Sequence, residues 1–195
     1  MPHDDKRQRI LAAATAVFAE RDFHRVQVSD VATRAGVGKG TVYLYFPTKD
    51  DLHRVALQAS LERLAADVDA AAAASGPVDA TLEAVVLCIL RFFWRRQHLL
   101  TLVQRYEQRR GRGVGQRRHR VLVAVEQVLA RHRLAGANDS RHLAAAFLLG
   151  LARAAILEHA GGDRPEGTAR WIVQLYLHGL APRPRAAARR QRGAA

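Results

Sequence analysis

The chain has 195 residues, 49% hydrophobic and 25% charged, an ordinary globular balance with room for one or two domains, so disorder is not the expectation. A single cysteine, Cys88, excludes a disulfide framework within one chain and any multi-cysteine metal site; in an apolar helical run it reads as a buried thiol. Lysine and arginine number 31 against 18 acidic residues, a net charge of +13 that points to polyanions, of which nucleic acid is the usual one for a soluble chain.

Bulk charge does not locate a site. Residues 1–50 carry eight basic and six acidic groups, a net of +2, which leaves +11 for the rest of the chain. An arginine excess beside abundant alanine also fits a GC-rich coding sequence. Lysine is more selective: Lys6, Lys39 and Lys49 are the only three. The stretch Met1 to Arg9 is polar and lacks the apolar region of a signal peptide, and the longest apolar runs are broken by Glu83, Arg91 or Arg153. The expectation is a cytoplasmic protein with no membrane association.

Nearly every segment has helical period and no sustained alternation appears, which predicts an all-α fold. Lys6 to Glu20 puts Ile10, Leu11, Ala14, Val17 and Phe18 on one face, with a stop near Asp22. Val28, Val31, Ala32 and Ala35 mark a short second helix, Gly36 a turn, and Lys39 to Phe46 a third helix that Pro47 ends. Thr48 then caps a long helix to about Ala74, with Asp51 at its third position in the manner of a capping box, and Ser75-Gly76-Pro77 closes it. Residues 78–97 are apolar nearly all round, as in a helix buried inside a bundle. Further helices are expected over 99–108, then from Val114 or Arg117 to His132, over 140–159 and over 166–180, with a disordered basic tail over 181–195.

The stretch AGVGKGTVYLYFPTKDDL, residues 35–52, carries the functional signal. A phosphate-binding loop needs G-x-x-x-x-G-K-[ST]; counting from Gly38-Lys39 puts Thr33 where the first glycine belongs and Gly40 where the hydroxyl belongs. A dinucleotide fingerprint needs G-x-G-x-x-G after a strand, and Gly36-x-Gly38 is followed by Thr41. As a helix-turn-helix over about 27–46, the glycines make sense. Gly36 supplies a left-handed position that closes one helix, and Gly38 and Gly40 leave the next without bulk so that its backbone can approach another molecule. Val42 and Phe46 face inward, which leaves Lys39, Thr41, Tyr43, Leu44 and Tyr45 outward or at the edge. Lys49, in the first turn of the long helix, opposes the macrodipole and becomes favourable once a phosphate docks there, unless Asp50 and Asp51 merely offset a solvated cation.

Residues from about Lys6 to Leu52, most closely VSDVATRAGVGKGTVYLYFPTKDDL, resemble the N-terminal domain of the TetR (tetracycline repressor) family of transcriptional regulators. The resemblance implies a DNA-binding homodimer on a palindromic double-stranded operator, with a helical domain that senses a small ligand and needs no cofactor. It implies a DNA-binding domain over 1–52 and a sensing and dimerisation domain over 53–180. By motif position, base contacts fall to Lys39, Gly40, Thr41 and Tyr43 or Leu44, and phosphate contacts to Tyr45 and Lys49. Gln27 and Ser29, at the start of the second helix, complete the set, although Gln27 stands where the family usually has a capping threonine or serine and is a poor cap. Asp22 likewise replaces the usual glycine.

The C-terminal half names no ligand. Phe93, Trp94, Leu102, Tyr106 and Phe147 are candidates to line a pocket for a small apolar effector; the same aromatics at helical spacing also fit plain core. Helix 140–159 has two apolar stripes, one through Leu143, Phe147, Gly150, Ala154 and Leu157, the other through Leu148, Leu151 and Ala155. A helix with two apolar faces needs two partners, and Leu148, Leu151, Ala155, Ile172, Leu175 and Tyr176 are the expected homodimer interface. The histidines show no metal-ligand spacing, so no metal is expected; no nucleophile elbow and no paired acid on an apolar face is found, so no enzymatic activity is expected. The competing reading is a non-specific basic nucleic-acid binder using Arg105 to Arg120 and the tail.

Overall fold

A computed structural model describes residues 2–21, 23–94, 99, 113–134, 136, 138–158 and 164–179. Among these the chain is all helical: α1 (Pro2–Glu20), a 3-10 turn (Phe23–Arg25), α2 (Val28–Ala35), α3 (Lys39–Tyr45), α4 (Lys49–Ala73), α5 (Val78–Phe93), α6 (Gly113–Arg131), α7 (Asn138–Glu158) and α8 (Pro165–His178). The helix expected over 99–108, with Leu102 and Tyr106, and the tail over 181–195 lie outside the described residues.

Two apolar clusters organise the bundle, and α4 belongs to both. Its first turns put Leu52 and Ala56 among Ile10, Ala14 and Val17 of α1, Val31 of α2, and Val42 and Phe46 at α3. Its later turns put Leu57, Leu61, Leu64 and Val68 among Leu82, Val85 and Leu90 of α5, Val125 and Val128 of α6, Leu148 and Ile156 of α7, and Ile172 of α8. One continuous helix therefore carries the packing of the N-terminal three helices into the C-terminal bundle. Thr48 starts it: its Oγ1 accepts from the Asp51 N–H at 3.0 Å and donates to Asp51 Oδ2 at 2.8 Å.

Arginines fasten α6 to α4 along their shared edge. The Arg120 guanidinium reaches both Glu62 and Asp69, which hold it above the usual arginine range, with the Asp69 hydrogen bond foremost. Three turns on, Arg131 donates to the carbonyls of Ala72 and Ala73, orphan acceptors at the C-terminal end of α4. On the far side, Arg91 of α5 donates to Glu166 of α8 at 2.8 Å, a bond that lowers the Glu166 pKa.

Helix α7 is the doubly apolar element, with a mean hydropathy of 1.3 over Asp139–Glu158, long and apolar enough to cross a membrane by length and composition alone. It lies in the bundle, and the assignment of its two faces differs from the one expected. Leu148 is fully buried, Ala155 is buried and Leu151 packs half-buried against the same cluster, whereas Leu143, Phe147 and Leu157 are exposed. On α8, Ile172 is buried at 1% exposure, Leu175 and Tyr176 are half-buried, and Trp171 is exposed. Leu148, Ala155 and Ile172 are thus core rather than free interface, and the stripe through Leu143, Phe147 and Leu157 is the one that faces out. Periodicity reveals two stripes, but the rotation of α7 about its axis is set by α6 and α8, against which it packs.

Candidate nucleic-acid interface

The turn between α2 and α3 is built by backbone chemistry that Gly36 permits. Gly36 sits at φ 65°, ψ 41°, its N–H donates to Thr33 O at 3.1 Å, and the Val37 N–H reaches back to Ala32 O at 3.0 Å. This is a Schellman closure, which needs a left-handed residue at the position glycine occupies. A third carbonyl is satisfied from outside: Arg9 of α1 donates from Nη2 to Ala35 O at 2.7 Å. That guanidinium nitrogen would stand 3.1 Å from a Cβ placed on Gly36. Arg9 lies 26 residues away in sequence and carried no local signal for this role.

The start of α2 is better held than Gln27 suggests. Asp30, at the third helical position, accepts from the Gln27 N–H at 3.1 Å and pairs with Arg21 at 3.3 Å. An acid in the first turn also suits the helix dipole. The Gln27 side chain is engaged by its neighbour, since Ser29 Oγ donates to Gln27 Oε1 at 3.3 Å. The poor cap is thus offset by the reciprocal arm of a capping box.

Helix α3 buries Val42 completely, and Phe46 at its C-terminal end is 3% exposed beneath the Arg7 guanidinium, 5.5 Å from the ring centroid. With that side pinned, Lys39, Gly40, Tyr43 and Leu44 lie on the surface, while Thr41 and Tyr45 are half-buried. Tyr43 is 39% exposed and Leu44 84%. Among the described residues a Cβ on Gly40 would meet nothing within 4 Å, so none of their packing calls for glycine there. Lys49 follows in the first turn of α4, its Nζ 4.4 Å from the Phe23 ring centroid. Phe23 in turn stacks with Phe18 at 6.2 Å and meets the buried His53 at 4.8 Å. Phe23 was missed by sequence reasoning because its role depends on the fold that brings the 3-10 turn beside α4.

The expected effector residues separate. Phe93 and Trp94 are buried in the C-terminal core, Phe93 edge-on to Phe92 at 4.7 Å. Phe147, expected to face a pocket, is 60% exposed on the outer stripe of α7, with its ring 6.4 Å from Tyr176. Tyr176 donates to Ala144 O at 3.0 Å, and its burial raises the phenol pKa. A groove of about 720 Å³ opens instead between α4 and α6, lined by Asp69, Ala72, Arg120, Val123 and Arg131 among others.

Residues 10–55 match the family described as bacterial regulatory proteins, tetR family. The transcriptional repressor KstR of Mycolicibacterium smegmatis is 43% identical over 72 residues, 37% of this chain and 35% of that protein. The transcriptional activator FasR of the same organism is 35% identical over 68 residues, 35% of this chain and 31% of its own length. These alignments therefore span about a third of each relative. Over nearly the whole chain, the fold is similar to the crystal structure of the TetR-like regulator LfrR from Mycobacterium smegmatis in complex with proflavine, with a TM-score of 0.64 at 26% identity, covering 92% of this chain and 99% of that one. With its helix-turn-helix geometry, the domain over residues 10–55 is thus of the tetR family of bacterial regulatory proteins, and the all-helical bundle that carries it shares the fold of a solved TetR-like regulator.

Proposed function

We propose that the protein is a sequence-specific transcriptional regulator that binds a pseudo-palindromic operator as a homodimer and represses until a small, largely apolar ligand releases it. The observation that carries this reading is the outer surface of α3. Lys39, Gly40, Tyr43 and Leu44 stand exposed on a helix fixed from behind by Val42 and Phe46, and no packing among the described residues requires Gly40 to be glycine. Such a surface suits the major groove, with base contacts from Lys39, Gly40, Thr41, Tyr43 and Leu44. Tyr45, Lys49, Gln27 and Ser29 would contact the flanking phosphates.

The homodimer reading rests on the outer stripe of α7 and on Trp171 of α8, large apolar groups exposed on adjacent helices. A second copy applied there would complete a four-helix seam. The presence of two apolar clusters supports a division into a reading head over 1–52 and a sensing and dimerisation bundle over 53–180, with Ala56 of α4 reaching back into the first cluster. Ligand release is supported by the proflavine in the LfrR structure and by the passage of α4 through both clusters. A shift of α4 in the bundle tilts the reading head, and a hundredfold preference of the ligand for the released state would supply about 2.7 kcal/mol of coupling.

The test is selection of bound duplexes from a random pool, followed by salt titration on selected and random DNA. Enrichment of an inverted repeat bound tightly over random duplex supports specific regulation. Equal affinity for both would favour the non-specific basic binder that the net charge of +13 allows.

A further inference from the structure

Apart from Lys39 at its first position, helix α3 lacks the side chains that read bases through paired hydrogen bonds. Its seven residues include no Arg, Asn, Gln, Asp or Glu; Lys39 is its one charged group, Thr41 is half-buried and Val42 is core. Yet it presents Leu44 at 84% exposure, the highest of the large hydrophobics among the described residues. Tyr45 and Val37 pack against the N-terminal cluster, but Leu44 is not among the side chains that do. Leu44 stands one helical turn after Gly40 and so on the same side. With nothing within 4 Å of a Cβ at Gly40, the surface beside the leucine is open backbone.

Resting on the DNA-binding reading above, we propose that Leu44 is a specificity-determining residue that reads the 5-methyl group of a thymine in the operator. The major-groove edges of guanine, cytosine and adenine present hydrogen-bond donors and acceptors, and the thymine methyl is the one apolar group there. A leucine pressed onto a polar edge strips its water and returns no hydrogen bond, which is unfavourable. Pressed onto a methyl, it removes apolar surface from water on both partners. Gly40 lets the helix backbone come close enough for a short side chain to make that contact. Helix α3 thus selects by shape and apolar contact at this position, while Lys39 and the Tyr43 hydroxyl supply polar contacts beside it.

The experiment takes the duplex enriched by the full-length protein and replaces each thymine in turn with deoxyuridine, which removes only the methyl. At one thymine per half-site, the loss for the wild type should be about fourfold, the equivalent of one buried methyl-sized group. The same replacement should leave the affinity of Leu44→Ala unchanged, and at this exposure Leu44→Ala should melt like the wild type. No methyl-sensitive thymine, or equal sensitivity in Leu44→Ala, would overturn the inference while leaving DNA binding in place. Failure of the wild type to enrich any duplex would overturn the DNA-binding reading, and this inference with it.

Discussion

Lys49 Nζ lies 4.4 Å from the centroid of the Phe23 ring, so a cation in the first turn of α4 is held by an aromatic from the segment that follows α1. The ring faces a charge that the helix dipole disfavours and restrains a long side chain that would otherwise be free. If Lys49 contacts phosphate, Phe23 acts as a positioning residue. Lys49→Ala should weaken binding to every duplex and reduce the salt slope by about one. Phe23→Leu should weaken binding about two- to fivefold, matching a contact of about 0.5–1 kcal/mol, and leave the slope intact. Anisotropy titrations across a salt series check this, and in a Lys49→Ala background the Phe23→Leu loss should vanish.

Gly40 and Gly36 should respond in opposite ways. Gly40 lies within a helix with open space around it, so Gly40→Ala should stabilise the free protein by about 0.4–1 kcal/mol while reducing DNA affinity. Gly36→Ala places a side chain at φ 65° against Arg9 and should cost at least about 1 kcal/mol. Urea unfolding measures both, and DNA titration of Gly40→Ala supplies the second readout. An unchanged affinity would mean that nothing approaches Gly40 in the complex.

The two stripes of α7 are separable by mutation. Phe147→Glu and Trp171→Glu alter exposed positions and should leave the far-ultraviolet circular dichroism unchanged while converting a dimer into a monomer by sedimentation. Leu148→Ala and Ile172→Ala remove fully buried groups and should cost about 2–5 kcal/mol each. A folded Phe147→Glu, Trp171→Glu protein that still sediments as a dimer would place the seam elsewhere.

Cys88 is half-buried, and desolvation raises its thiol pKa, aided by Asp67 and opposed more weakly by Arg91. The thiol therefore stays protonated at neutral pH, and disulfide-exchange reagents should label it more slowly in the folded protein than in urea at pH 8. Because the folded-state pKa is the higher one, the thiol's contribution to stability is fully present below the ordinary thiol range and is lost as pH rises through the raised value. Cys88→Ala should flatten the alkaline end of a stability profile. Equal labelling rates, folded and unfolded, would contradict the burial.

Contiguous residues determine a good deal of this molecule. The left-handed turn at Gly36, the inward pair Val42 and Phe46, and the Thr48 cap are consequences of backbone dihedrals and a 3.6-residue period, which act over a few positions and can be read in order along the chain. The exposed surface of α3 follows from the same period, because burying Val42 leaves Tyr43 and Leu44 outside. Other features required the folded chain. Arg9 finds the end of α2, Phe23 meets Lys49, and Arg120 joins two acids of α4, across separations that no local rule spans. Helix α7 shows why: its two apolar stripes are equally legible, but which one enters the core depends on how the helix is rotated against α6 and α8. That rotation is fixed by close packing of side chains such as Leu148, Val128 and Ile172, a non-local condition that the period of one helix does not contain.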